Sequence, residues 1–313
     1  MNDCRRTTIP AAEWRQQRQT HRDIVVPFTA AYRRRRGAGA LHPIHDFLFT
    51  YYTLSSTKLE RWMPGYGVSL EPADDALNSE LLSDGRHVLT AEGIALAPSA
   101  VRPNHIKQLQ SIRALCEAIL SREPRYACFG MHEWAMTYRT PDIRHRYPFR
   151  ISDDEVAAVV ESIPYCCSHF DAYRFSSPAA RGLNVLRPTA ETRLQFEQGG
   201  CLHANMDLYK WAYKLIPLVP SDLLRDCFLL ALETREIDMR ATPYDFRSLG
   251  FAPIPIENEA GREEYRAAQQ RIAEKAAPLR SKLLELTEWI LSDLSSLQRA
   301  TLGVDADPEH SRL

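Results

Sequence analysis

Histidine stands beside carboxylate, aromatic and sulfur residues in four short segments: His42-Pro43-Ile44-His45-Asp46, Met131-His132-Glu133-Trp134, Cys166-Cys167-Ser168-His169-Phe170-Asp171 and Cys201-Leu202-His203-Ala204-Asn205-Met206-Asp207. His42 and His45 are three residues apart and His203 and Asp207 four, so on helices each pair shares a face. Polar groups set this closely among Phe, Trp, Tyr and Met need partners when buried. A polar centre lined by several helices would supply them. Iron, manganese or zinc takes imidazole and carboxylate ligands, which nominates His45, His132, His169, His203 and Asp207 as a ligand set. The four histidines are expected to converge on one pocket. Acid–base or electrostatic chemistry on a developing cationic centre would instead use carboxylates set among apolar neighbours: Glu133, Asp207 and Asp238. Trp134, Tyr209 and Trp211 are candidate walls for a bound ring. Arg240 is a candidate binding residue where a helix meets Ala241-Thr242-Pro243-Tyr244-Asp245.

Each feature also has a structural reading. A buried His–Asp pair often serves only as a hydrogen bond, and members of the 209–213 aromatic series alternate faces and so belong partly to the core. The run Arg33-Arg34-Arg35-Arg36 suits a solvated last helical turn, where cations favour the dipole. No His-Glu-x-x-His or Glu-x-x-His motif occurs.

The elements that must position these residues are mainly helical. Residues 11–35 read as a polar helix ended or kinked at Pro27, and 42–62 as a helix or helix pair. Short apolar runs separated by Asp84-Gly85 and Glu92-Gly93 predict a small β-hairpin insert over 65–99. The spacing of Ile106, Leu109, Ile112, Leu115 and Ile119 predicts a helix over 104–121. Ser152-Asp153-Asp154-Glu155 opens another with a capping box. Phe170–Phe175 alternates as a strand or extended loop would. Further helices are predicted over 189–197, 202–216, 221–239 and 259–297, the last interrupted at Pro278. This divides the chain into a basic helical N-terminal segment (1–40), a single helical catalytic domain (41–300) carrying the insert, and an unstructured tail (301–313).

The 313 residues are ample for a hydrophobic core, and 44% hydrophobic with 25% charged is ordinary for a globular protein. The net charge of −1 predicts no partner by itself. Residues 1–62 nevertheless carry eleven Lys/Arg against five acids, a basic surplus suited to phosphates. Seven cysteines without a C-x-x-C pair argue for a reducing compartment and against a zinc ribbon. With no signal-like run and no stretch of 18 apolar residues, a cytoplasmic protein without a membrane span is expected.

Several segments resemble a mostly actinobacterial family labelled 3-methyladenine DNA glycosylase. They are Phe47–Tyr52 after His-Pro-Ile-His, Arg61–Gly65, Cys128–Trp134, Ser168–Phe175, Gly200–Leu215 and Arg235–Asp245, and together they cover roughly residues 40–270. The resemblance implies an N-glycosylase that hydrolyses alkylated purines out of double-stranded DNA without a cofactor. A carboxylate among Glu133, Asp207 and Asp238 would stabilise the oxocarbenium-like sugar, and aromatic rings would stack on the flipped base. Arg33–Arg36 and Arg139, Arg144, Arg146 and Arg150 would meet the phosphates. The residues themselves leave open a second function: a His/carboxylate oxygenase or oxidase using iron, or another transition metal, on a small molecule.

Overall fold

The computed structural model describes residues 6–74, 76–141 and 147–301. Helix accounts for 59% of it, so the fold is mainly α. In chain order the elements are β1 (Thr7–Ile9), α1 (Ala11–Gly37), α2 (Phe47–Thr50), α3 (Ser56–Glu60), β2 (Val68–Leu70), α4 (Ala76–Ser83), β3 (His87–Thr90) and β4 (Gly93–Leu96). Then follow α5 (Pro103–Leu120), α6 (Met131–Thr137), α7 (Asp153–Ser162), α8 (Phe170–Tyr173), α9 (Arg193–Phe196), α10 (Leu202–Lys214), α11 (Ser221–Arg240) and α12 (Glu259–Thr301).

The frame is made by α10 against α11, with α12 packed along both and along α5. Their apolar stripes meet in one large core that includes Met206, Leu208, Leu224, Phe228, Ile272 and Leu283. In α5 the predicted stripe is the buried one: Leu109, Ile112, Leu115 and Ile119 face inward. α7 begins with the predicted capping box, in which Ser152 and Glu155 satisfy each other's backbone N–H.

Several expectations are corrected. α1 and α12 run unbroken through Pro27 and Pro278. Both prolines are exposed, so the carbonyl each leaves without a donor lies on the wet face, while the buried stripe opposite (Trp14, His21, Val25, Thr29 and Tyr32 in α1) holds the helix to its neighbours. The 42–62 stretch forms only the single turns α2 and α3, and of 189–197 only α9 is helical. Phe170–Phe175 is not extended. It opens with the turn α8, because His169 caps it by accepting the Ala172 N–H.

The insert is larger than a hairpin. β3 and β4 pair antiparallel as expected, β2 adds to β4, and β1 from the N-terminal segment joins parallel to β2. The N-terminal helix packs on α3 and α11. Arg144, Arg146 and the tail from 302 onward lie outside the described residues. Among the described residues no helix is long and apolar enough to cross a membrane.

Candidate metal centre and its cavity

The site is built where α6, α8, α10 and α11 meet. The chain enters α6 through two left-handed residues, Phe129 (φ 50) and Gly130 (φ 69). A Cβ on Gly130 would press on Tyr265 and Ala241, at 3.3 and 3.4 Å. This tight entry sends His132 and Glu133 into the interior, where every residue of α6 is buried. α10 contributes His203 and, one turn on, Asp207. α11 contributes Arg235 and, three residues on, Asp238.

Two groups of ligand-type side chains result. In the first, His132, His203 and Asp238 each place one ligand atom within 4.8 Å of the others. His132 Nε2 is 3.3 Å from Asp238 Oδ1, and His203 Nε2 is 3.9 Å from Asp238 Oδ2. The two imidazoles meet edge to face, their centroids 4.3 Å apart. Two ligands at right angles around an ion ~2.1 Å from each lie about 3 Å apart, so this spacing suits a shared cation. His132 Nε2 and Asp238 Oδ1 are buried and face each other at 3.3 Å, an ion-pair contact whose angles fall short of a full hydrogen bond, and neither has another partner. Asp238 Oδ2 accepts from Arg235 Nη1 at 3.2 Å, and the same nitrogen reaches Glu133 Oε1 at 3.2 Å.

The second group is His169, Asp171 and Asp207. Here the oxygens are already occupied. Tyr52 donates to Asp207 Oδ1 at 2.6 Å, and Lys210 and His169 both reach Oδ2. His169 Nδ1 accepts the Ala172 N–H at 3.3 Å. The neutral ring therefore carries its proton on Nε2, which points at Asp207 Oδ2 (3.2 Å) and Glu197 Oε1 (3.5 Å). That tautomer leaves no lone pair on Nε2 for an ion. Asp171 is engaged by Arg174, Arg193 and Lys210. This group is a hydrogen-bonded charge network with its cation, Lys210, built in.

The electrostatics differ accordingly. Burial, with His132 beside it, pushes His203 down to about 3, so its ring is neutral and ready to ligate at neutral pH. Burial works against charge on His132 too, but Asp238, Cys128 and Glu133 outweigh it and raise its pKa, so an ion bound there would have to displace the His132 proton. Asp238 resists burial through His132 and His203 and stays ionised, well below the usual carboxylate range. Asp207 is likewise held ionised against burial, chiefly by Lys210 and His169.

A cavity of about 300 Å³ is lined by all three residues of the second group and, from the first, by His203, with His132 and Asp238 set behind it. Its walls are Phe47, Tyr51, Tyr52 and Phe175, with Glu133, His169, Asp171, His203, Asp207 and Arg235 as the polar part. The rings form a connected rim: Phe47 stacks on Tyr51 at 4.9 Å, and Tyr51 meets Tyr52 and Phe175 edge-on at 5.3 and 6.2 Å.

Of the sequence-predicted residues, His132, His169, His203, Glu133, Asp207 and Asp238 come together here. Others do not. His45 stacks on His42, 4.4 Å away, and meets Phe251 edge-on. It neither lines the cavity nor joins either ligand-type group, so three histidines converge rather than four. Trp134 is core and donates its indole N–H to the Ala241 carbonyl at 2.8 Å. Tyr209, packed 5.2 Å from Phe228, is core as well. Trp211 is half-buried beneath Lys210, Lys214 and Arg193 rather than lining the cavity. Arg240 bonds the Ala252 carbonyl and pairs with Glu236 and Glu264, a joint between α11 and α12.

In the basic runs, Arg33 and Arg35 pair with Glu60 and Asp46, Arg139 with Glu161, and Arg150 with Glu257. The residues missed by sequence reasoning are Arg235, Tyr52, Glu197 and the ring wall. Arg235 was one turn from Asp238, a spacing that marks a shared face. Tyr52 and Phe47 stood next to the first histidine segment, but nothing local connects them to α10. No family model, no curated protein and no solved structure matches the chain.

Proposed function

We propose that the protein is a metal-dependent oxygenase or oxidase acting on a small molecule, with His132, His203 and Asp238 as ligands. Two histidines and one carboxylate with open positions are the ligand set of non-haem iron(II) oxygenases. The observation that supports this reading is the buried contact of His132 Nε2 with Asp238 Oδ1, which have no partner besides each other and lie beside His203 at ligand spacing. An iron(II) ion bound there would supply the one-electron chemistry that activates dioxygen. Arg235 holds Asp238 and Glu133 in place through one nitrogen and so orients the carboxylate ligand. Tyr52 and Lys210 both donate to Asp207 and so hold this carboxylate in place beside the cavity. The rim of Phe47, Tyr51 and Phe175 excludes water from the bound substrate.

The test is metal content. Protein loaded anaerobically with iron(II) or manganese(II) should retain about one ion per chain. His203→Ala and Asp238→Asn should each lose it with folding intact by circular dichroism. Full retention in both variants, or no retention in the wild type, would exclude the reading.

A second reading, the base-excision glycosylase, draws on a different observation: ionised Asp207 stands in a ring-lined cavity of a size that admits a single base. Release of free 3-methyladenine from alkylated DNA by chelated, metal-free protein, abolished in Asp207→Asn, would replace the oxygenase with it.

A further inference from the structure

Arg235 is 1% exposed, yet it lines the cavity and spends only Nη1 on the protein, donating to Glu133 and Asp238. Its Nε is buried without a hydrogen bond. Its guanidinium lies over the Phe47 ring, 3.7 Å from the centroid, which fixes the plane of the fork. A buried guanidinium with idle donors is an expensive arrangement unless an acceptor arrives.

The charge balance says which acceptor. Asp171, Asp207 and Glu197 are matched by Lys210, Arg193 and Arg174. With His132 and His203 as neutral ligands, a divalent ion beside Glu133, Asp238 and Arg235 would leave an excess of one positive charge. We propose that the cavity binds its substrate as a carboxylate, through the free edge of Arg235, with the acid's apolar or aromatic body against Tyr51, Tyr52 and Phe175. The inference rests on the metal reading above for its charge balance. The planar fork of arginine is the group that grips a carboxylate by two parallel bonds, and the position beside Asp238 holds the acid next to the ion. At about 300 Å³ the cavity lies at the small end of ligand sites, which suits an acid with one ring or a short chain.

Benzoate, benzamide and benzylamine share a ring and differ in charge, so they serve as probes. Titrated calorimetrically into full-length, manganese-loaded protein, benzoate should bind about tenfold or more tighter than benzamide, and benzylamine weakest. Arg235→Lys keeps the charge but not the fork and should abolish that preference, with metal content checked in the same sample. Phe175→Ala should weaken benzoate and benzamide by the same factor, leaving their ratio unchanged. Equal binding of benzoate and benzamide, tighter binding of benzylamine, or an undiminished benzoate preference in Arg235→Lys would overturn the proposal. The wild-type comparison decides it even if the arginine variant fails to fold. Protein that retains no ion refutes the metal reading instead, and the three probes can still be compared on that protein.

Discussion

At the scale of single residues the two ligand-type groups look alike in composition and differ in satisfaction. Asp207 has every oxygen partnered, by Tyr52, Lys210 and His169, whereas Asp238 Oδ1 and His132 Nε2 have only each other. The difference is measurable. Asp207→Asn leaves the Lys210 ammonium with only Asp171, 3.5 Å away, and should cost about 2–3 kcal/mol in urea unfolding. Tyr52→Phe removes one hydrogen bond and should cost about 1 kcal/mol. Both variants should keep their metal. Loss of the ion from Asp207→Asn would move the ligand set to the second group.

This distinction was beyond the sequence. His203 and Asp207 announced themselves by their spacing, but whether Asp207 faces an ion or Lys210 depends on a side chain one turn further on. The tautomer of His169 depends likewise on the turn it caps. Glu197 gave no signal, since nothing local relates it to His169.

At the scale of elements the sequence was legible where one helix carries its own apolar stripe, as in α5, α10 and α11, or its own capping box, as in α7. It was misleading where solvent decides, as at Pro27 and Pro278. The two-residue hairpin turn was legible too, whereas the parallel partner β1 was not, because its pairing is made across sixty residues. One buried histidine holds α1 to α3. His21 Nε2 donates to the Leu59 carbonyl at 2.8 Å, and its ring is fully buried. Burial lowers its pKa below the ordinary 6.5. The unfolded chain therefore takes up this proton at a higher pH than the folded one. The stability tied to a neutral His21 is complete above about pH 6.5 and is lost as pH falls below it. His21→Gln can keep the hydrogen bond without titrating. Melting curves from pH 7 to pH 5 should fall less steeply for the variant than for wild type. Parallel slopes would mean that His21 is not the group responsible.

At the scale of the whole molecule, α10, α11 and α12 form a packed frame, and the cavity joins residues of α10 and α11 to three distant segments, 47–52, 133–136 and 169–175. The candidate ligands come from α6, α10 and α11, so an ion there would tie together elements more than a hundred residues apart. A ligand bound only by the folded state raises stability by mass action. Chelation should lower the melting temperature, and manganese should restore it with a dependence that saturates. No response to either would mean that no ion contributes to the fold.

The most direct test of the central claim is the position of the ion itself. An anomalous difference map from crystals grown with manganese(II) should show one peak about 2.1 Å from His132 Nε2, His203 Nε2 and an Asp238 oxygen. No peak in the cavity, or one held by Asp207 and Asp171 instead, would contradict the account.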